Sequence, residues 1–386
     1  MNSKAFLLPA ALMIAGNSVA NSKGKKTDKR PNILVILADD LGYSDLGCYG
    51  SEIHTPNLDK LAQQGVRFNH FYNASRSCPT RASLLTGLYQ HQAGIGRMTF
   101  DDNLPGYRGT LSRNAVTIAE VLKESGYTTS MIGKWHVAET PLRKDQREWL
   151  AHHVYHDTYS DLCHYPVNRG FDSHYGTIYG VVDYFDPFSL VEGEVPVKEV
   201  PEGYYITQAL SDRAAEEVTE YAKDDKPFFM YLAYTAPHWP LHALPEDIEK
   251  YKDTYKVGWE AIRNARYERQ KQLGIFPGMD DFLSERQFKD RWEDNAHAEW
   301  DARAMAVHAA MIDRMDQGIG QVIDALEKTG QLDNTLILFL SDNGCSNENC
   351  QNYSPGENDR PDMTRKGEKM VYPHNKEVLP GPQTTY

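Results

Sequence analysis

The chain has 386 residues, 40% of them hydrophobic and 25% charged, which excludes a disordered or fibrous protein and supplies enough apolar material for one large core. A formal net charge of -13 argues against nucleic acid as a partner, since phosphate binding needs a basic face. The same charge repels anions at long range, so an anionic substrate needs a site made positive locally.

Residues 1–20 read as a signal peptide: a polar start with Lys4, an apolar run from Ala5 to Gly16, and small residues leading to cleavage near Ala20. The apolar run is shorter than the roughly 20 residues that cross a bilayer, so the expectation is a periplasmic or secreted protein without a stable membrane anchor. Residues 21–30, with four lysines and an arginine, read as a solvated linker. Pro31 to Ala38 is a continuous apolar and β-branched run, the pattern of a strand buried on both faces of a parallel sheet, and it ends in Asp39-Asp40. Thr55 and Pro56 read as the N-cap and first turn of a helix, with Leu58, Leu61 and Ala62 on one stripe and Gly65 as the stop. A second helix is predicted from Asn114 to Ser125, burying Val116, Ala119 and Leu122, and a strand after it ends in Gly133-Lys134-Trp135-His136. A helix over 209–221 precedes the apolar run Pro227 to Tyr234, which leads to Ala236-Pro237-His238-Trp239-Pro240. The charged stretch 246–299 reads as solvated helices capping the domain. A long amphipathic helix carrying Met305, Ala309, Ile312, Met315, Val322, Ile323 and Leu326 then enters a strand from Thr335 to Leu340, which ends in Ser341-Asp342-Asn343-Gly344. Each polar motif stands just past the carboxyl end of a strand or opens a helix, where open α/β sheets bind ligands.

Asp39, Asp40, Asp342 and Asn343 would gather three carboxylates and an amide oxygen at two strand ends. Adjacent carboxylates are costly without a cation, and such hard donors suit Ca²⁺ or Mg²⁺; Asp-Asp and Asp-Asn-Gly are also ordinary turn signals. Pro79 suits the first turn of a helix starting near Cys78, which puts Ser77 at the positive end with Arg81 one turn in. Lys134 and His136 share one face of an extended segment, where a lysine offers a compact charge and a histidine can move a proton near neutral pH. His152, His153, His156 and His164 fit no zinc spacing and read as a loop with substrate contacts. Asp101, Asp102 and Tyr107 read as lining a substrate mouth. Five cysteines (Cys48, Cys78, Cys163, Cys345, Cys350) are too few for a disulfide framework. Cys345 and Cys350 could pair, and the odd count leaves a free thiol, for which Cys78 is the candidate.

The run Arg76-Ser77-Cys78-Pro79-Thr80-Arg81, continuing to Thr86-Gly87, resembles the signature of the formylglycine-dependent sulfatases: Cys or Ser, any residue, Pro, any residue, Arg, then a small-residue and leucine turn to Thr-Gly. Only Ser77 keeps the spacing to Pro79 and Arg81, and Cys78 stands one place late. The resemblance implies a serine-type enzyme of the bacterial arylsulfatase kind, in which an iron-sulfur, radical-type maturase that accepts serine oxidises Ser77 to formylglycine (3-oxoalanine). It implies an α/β fold of the alkaline-phosphatase-like superfamily, a large mixed, mainly parallel sheet flanked by helices. It further implies one Ca²⁺ held by Asp39, Asp40, Asp342, Asn343 and an oxygen of residue 77, with residue 77, Arg81, Lys134, His136 and His238 as the catalytic set. The implied reaction is hydrolysis of a sulfated sugar or aryl ester by a covalent route, in which the aldehyde hydrate attacks sulfur and later expels sulfate.

The likeness runs from Pro31 to Asn343, giving a catalytic domain of 31–345 and an irregular tail of 346–386. Arg169-Gly170-Phe171-Asp172 resembles a family turn that packs beside the site and is read as structural. The family's second catalytic lysine, set before Glu-Gly-Gly downstream of Asp-Asn-Gly, and its smaller carboxyl-terminal subdomain find no counterpart. Lys366, Lys369 and Lys376 lack those surroundings, and the tail reads as a loop interrupted midway. Two alternatives stay open: a phosphonate or phosphodiester hydrolase of the same superfamily, and an inactive remnant that binds sulfated glycans.

Overall fold

Burial along the first strand decides the architecture. Leu34 and Ile36 point to one side and Val35 and Leu37 to the other, and all four are buried, so the sheet must be covered on both faces. The computed structural model describes residues 30–141, 158–277, 283–285, 290–346 and 361–385. In chain order its main elements are β1 (Asn32–Ala38), α1 (Pro56–Gln64), α2 (Ser77–Thr86), α3 (Ile118–Glu124), β2 (Thr128–Gly133), β3 (Ser173–Thr177), β4 (Leu190–Glu192) and β5 (Val195–Pro196). They continue as α4 (Ile206–Tyr221), β6 (Phe228–Ala233), α5 (Pro245–Glu249), α6 (Trp259–Gln272), α7 (Ala298–Lys328) and β7 (Thr335–Ser341).

The strands form one sheet in the order β5-β4-β3-β2-β6-β1-β7. Pairing is parallel from β3 through β7 and antiparallel at β4 and β5, so the sheet is mixed and mainly parallel. On one face Leu34, Ile36, Met230 and Leu232 meet Leu210 of α4 and Ile312 and Met315 of α7. On the other, Val35, Leu37, Phe229 and Tyr231 meet Cys78, Ala82 and Leu85 of α2. Among the described residues no helix is long and apolar enough to cross a membrane.

Three local expectations are corrected. The second helix starts at Ile118, not Asn114, because Thr117 is its cap. Thr117 Oγ1 accepts from Glu120 N at 3.1 Å, and the Glu120 carboxylate accepts from Thr117 N at 2.7 Å, a reciprocal capping box. Val116 therefore precedes the helix and is 55% exposed, Leu122 is only half-buried, and Ala119 is buried as expected. At α1, Thr55 holds the cap position, but its side chain accepts from Gly47 N instead. Asp316 of α7 takes the free amides of Asn57 and Leu58, at 3.2 and 2.8 Å. The charged stretch before α7 is more than a solvated cap, since Arg266 of α6 pairs with Asp45 and Glu52 and is largely buried.

The tail from 361 to 385 is irregular, as expected, yet firmly held. Arg365 Nε pairs with Asp186 Oδ1 at 3.1 Å, Trp300 Nε1 donates to Val378 O at 2.8 Å, and Arg303 Nε donates to Pro380 O at 3.0 Å. His242 Nε2 meets Thr385 O, and Met370 and Tyr372 are buried. Cys78 is a free, buried thiol. Cys350, His152, His153, His156 and the signal segment lie outside the described residues.

Two substitutions test this packing. Ile312→Ala should lower unfolding stability by about 2–5 kcal/mol, the usual outcome of truncating a fully buried aliphatic side chain. Val116→Ala should stay within about 0.5 kcal/mol. Denaturant titration of both variants checks the pair, and equal losses would restore Val116 to the core.

Candidate active site

Strands β2, β6, β1 and β7 end side by side, and backbone bonds extend that alignment into the loops. Lys134 N donates to Ala233 O at 2.8 Å, Asp39 N to Ala236 O at 3.0 Å, and Asp342 N to Ala38 O at 3.1 Å. Gly133 makes the turn possible: its φ is +110°, and a Cβ there would stand 1.8 Å from Ala233 O. Asp40 and His136 take the left-handed backbone without being glycine, at φ 62° and 53°, which costs each on the order of 1 kcal/mol.

Ser77 is the first residue of α2, and Arg76 before it provides no side-chain cap. The first amides of the helix are thus left for an anion. Arg81, one turn on, is fully buried. Its Nε lies 3.0 Å from Ser77 Oγ and 3.0 Å from Asp342 Oδ2. Nη2 donates to Asp342 Oδ2 at 2.8 Å and stands 3.4 Å from Asp39 Oδ1, while Nη1 donates to Lys134 O at 2.8 Å. His136 Nδ1 is 3.3 Å from Ser77 Oγ. Lys134 Nζ is paired with Asp39 Oδ2, and His238 Nε2 faces Asp40 Oδ2 at 3.6 Å. With Asn343, whose Nδ2 faces Asp40 Oδ1, the nine residues expected to form the catalytic and metal-binding sets lie together.

Burial and neighbours set the charge states. Burial would raise Asp342, but Arg81 and Lys134 outweigh it and hold its carboxyl down at about 2. Asp39 is pushed up to about 7 by burial and by the charge of Asp342, against Lys134, His238 and Arg81. Burial first, then Lys134 and Arg81, hold His136 well below the ordinary histidine range, so its imidazole is neutral at physiological pH.

Asp101 and Asp102 pair with Arg108 and Arg97, and Tyr107 bonds His91. Arg169 is buried, reaching Leu111 O and Ala115 O at 3.1 and 2.7 Å, a structural role as read. Gly180 and Tyr184 carry no signal in the sequence. A Cβ at Gly180 would lie 2.2 Å from the His136 ring, and the Tyr184 hydroxyl lies 2.7 Å from the carbonyls of Thr235 and His238, fixing the loop that carries His238. Neither residue has a local spacing that relates it to the histidine it supports.

A family model described as Sulfatase matches residues 31–367. The chain belongs to the sulfatase family. It is 33% identical over 401 residues to the arylsulfatase of Klebsiella aerogenes, covering 100% of this chain and 82% of that protein. It is 35% identical over 342 residues to an uncharacterized sulfatase of Schizosaccharomyces pombe, covering 82% of this chain and 58% of that one. The crystal structure of Ps i-CgsB in complex with k-i-k-neocarrahexaose matches at 32% identity and a TM-score of 0.56, over 81% of this chain and 58% of that one. The chain thus spans little more than half the length of the last two.

In this sulfatase the acidic residues fit a hard dication. An oxygen from each of Asp39, Asp40 and Asp342 lies within 4.8 Å of the others, and Asp39 Oδ1 is buried without a hydrogen-bond donor. Asn343 turns its Nδ2 toward Asp40 Oδ1, so its oxygen joins the cage only with the amide reversed, the orientation a cation selects. A second donor group, Asp45, His308 and Cys345, is already compensated, since Arg266 and Gly42 N hold the two Asp45 oxygens.

Asp39 sets a proton linkage for the cation. A carboxyl raised to about 7 favours the metal-free fold in its neutral form, and that contribution is lost as pH rises through 7. Binding of a hard dication at these carboxylates should therefore expel close to one proton at about pH 6 and almost none at about pH 8.5. Calorimetric titration in buffers of different ionisation enthalpy measures this, and a pH-independent proton count would contradict it.

Proposed function

We propose that this chain is a sulfuric ester hydrolase acting on a sulfated carbohydrate, with residue 77 in its formylglycine form and Ca²⁺ held by Asp39, Asp40, Asp342 and Asn343. The observation that carries the reading is the placement of Ser77 Oγ at a helix start between Arg81 Nε at 3.0 Å and His136 Nδ1 at 3.3 Å. When present, the cation supplies positive charge toward the ester and the aldehyde hydrate supplies the nucleophilic oxygen, which an unmodified serine hydroxyl supplies poorly.

The chain's own side chains take the remaining roles. Arg81 fixes the residue 77 oxygen and keeps it beside Asp342 through charge-assisted bonds. Neutral His136 is placed to take a proton from that oxygen. Lys134 Nζ pairs with Asp39 and His238 Nε2 faces Asp40. With those carboxylates engaged by a bound cation, Lys134 and His238 would be free to contact the anionic ester.

A carbohydrate substrate is supported by two relatives. One is an N-acetylglucosamine-6-O-sulfatase of Bacteroides thetaiotaomicron, 30% identical over 401 residues that cover 89% of this chain and 63% of that protein. The other is the oligosaccharide-bound structure described above. The reading includes export by the segment ending near Ala20 and modification of Ser77 by a serine-accepting radical-type maturase.

Coexpression with such a maturase tests the proposal. The peptide bearing Ser77 should lose the mass of molecular hydrogen, and the protein should release sulfate from nitrophenyl sulfate. Ser77→Ala should abolish release. Oxidised residue 77 without any sulfate release, or turnover that survives Ser77→Ala, would sink the reading. Because His136 works as a base in its neutral form and its pKa is lowered, the acid limb of kcat/KM should lie below the ordinary histidine value of about 6.5. His136→Ala should reduce kcat by about 10²–10⁴ and remove that limb.

A further inference from the structure

Where the loops after β1 and β7 meet, donors of a different kind come together. One ligand atom from each of Asp45, His308 and Cys345 lies within 4.8 Å of the others. Asp45 follows β1, Cys345 follows β7, and His308 belongs to α7, so no local spacing relates the three. Gly42 leaves room for this meeting: a Cβ there would stand 2.5 Å from Asp45 Oδ2 and 3.2 Å from the Cys345 Cβ. Asp45 is buried and Cys345 is exposed, and both border an open cavity of about 460 Å³. The trio is thus reached from solvent at the thiol and closed behind the carboxylate.

Thiol, imidazole and carboxylate are poorly matched to calcium and well matched to a borderline-soft dication of the zinc class. Arg266 Nη1 and Gly42 N occupy two of the roughly four lone-pair positions of the Asp45 carboxylate, at 2.5 and 2.9 Å. They remove the pull on a hard ion but leave lone pairs in place, and hydrogen bonds of this kind are what orient a ligating carboxylate. The His308 imidazole makes no hydrogen bond among the described residues, and the Cys345 sulfur has a weak bond to Ser346 O at 3.7 Å. Zinc bonds of about 2.0–2.3 Å set ligand atoms roughly 3.3–3.8 Å apart, a closure that rotation of the exposed Cys345 side chain supplies. We propose that Asp45, His308 and Cys345 form a second metal site, for a dication of the zinc class, joining the loops after β1 and β7 to α7. The thiol binds as thiolate, its proton passing to the buffer, and water completes the coordination. The site stands apart from the hydrolase reading, because none of the three residues belongs to the set proposed there.

Cobalt(II) is the probe, since a thiolate ligand gives it a near-ultraviolet charge-transfer band that carboxylates do not. The full chain with Ser77 unmodified, in excess calcium to fill the hard carboxylates, is titrated with cobalt by absorbance and with zinc by calorimetry. The band should appear, and Cys345→Ser should abolish it. Cys345→Ser and His308→Ala should each weaken zinc at least about tenfold. The metal-free Cys345→Ser protein should melt with the parent, because the position is exposed, so a lost band there is not a lost fold. Cys163→Ser is the control: Cys163 stands with Asp161 and His164 in another donor trio, and its replacement should keep the band and change the affinity lost in Cys345→Ser by less than about twofold. Absence of the band in the parent, or a band undiminished in Cys345→Ser, overturns the site. A band lost in Cys163→Ser and kept in Cys345→Ser moves the metal to that other trio and overturns it equally.

Discussion

A guanidinium sealed from water is the constraint on which the rest of the site depends. Arg81 cannot lose its charge, and its surroundings leave it no water. It is tolerated only because Asp342, Asp39, Ser77 and the Lys134 carbonyl surround it. Those partners come from β1, α2, β2 and β7, so satisfying one side chain fixes four elements against each other. Taking away one member of such a buried pair typically costs about 3–5 kcal/mol. The same arrangement makes Asp342 a permanent anion and leaves Asp39 as the carboxyl that titrates. Arg81 is thus a structural keystone as well as a direct neighbour of Ser77.

Much of this was legible in the sequence, and the reasons differ by level. Fully apolar strands such as Asn32–Ala38 announce a sheet buried on both faces, and their polar endings announce a site at the carboxyl edge. The Ser-x-Pro-x-Arg spacing works because Pro79 and Arg81 are tied to residue 77 by helical geometry alone, a local relation that survives any tertiary context. Val116 lies outside the helix because Thr117-x-x-Glu120 forms a capping box, a signal the sequence itself carries and that overrides the apolar stripe. Gly180, Tyr184 and Asp316 were not readable, since each acts on a partner far away in sequence through a contact only the closed fold creates.

The irregular tail owes its order to contacts rather than to any local pattern. Without periodicity, residues 361–385 offered nothing to a pattern search, yet they are fastened by side chains reaching out from α7 and from the loop after β6. Irregular segments of this kind take their order from the surface beneath them. Their composition of prolines and glycines then says only that no helix or strand competes with that docking.

The left-handed backbone at Asp40 and His136 has a consequence for how this protein can change. Both positions carry functional side chains on a conformation that glycine or asparagine adopts with less strain. A search for hardier variants would therefore reward their loss, because relaxing the chain and discarding the chemistry are one and the same substitution. The loops around them are where backbone ease and the chemistry proposed for these side chains must be weighed against each other.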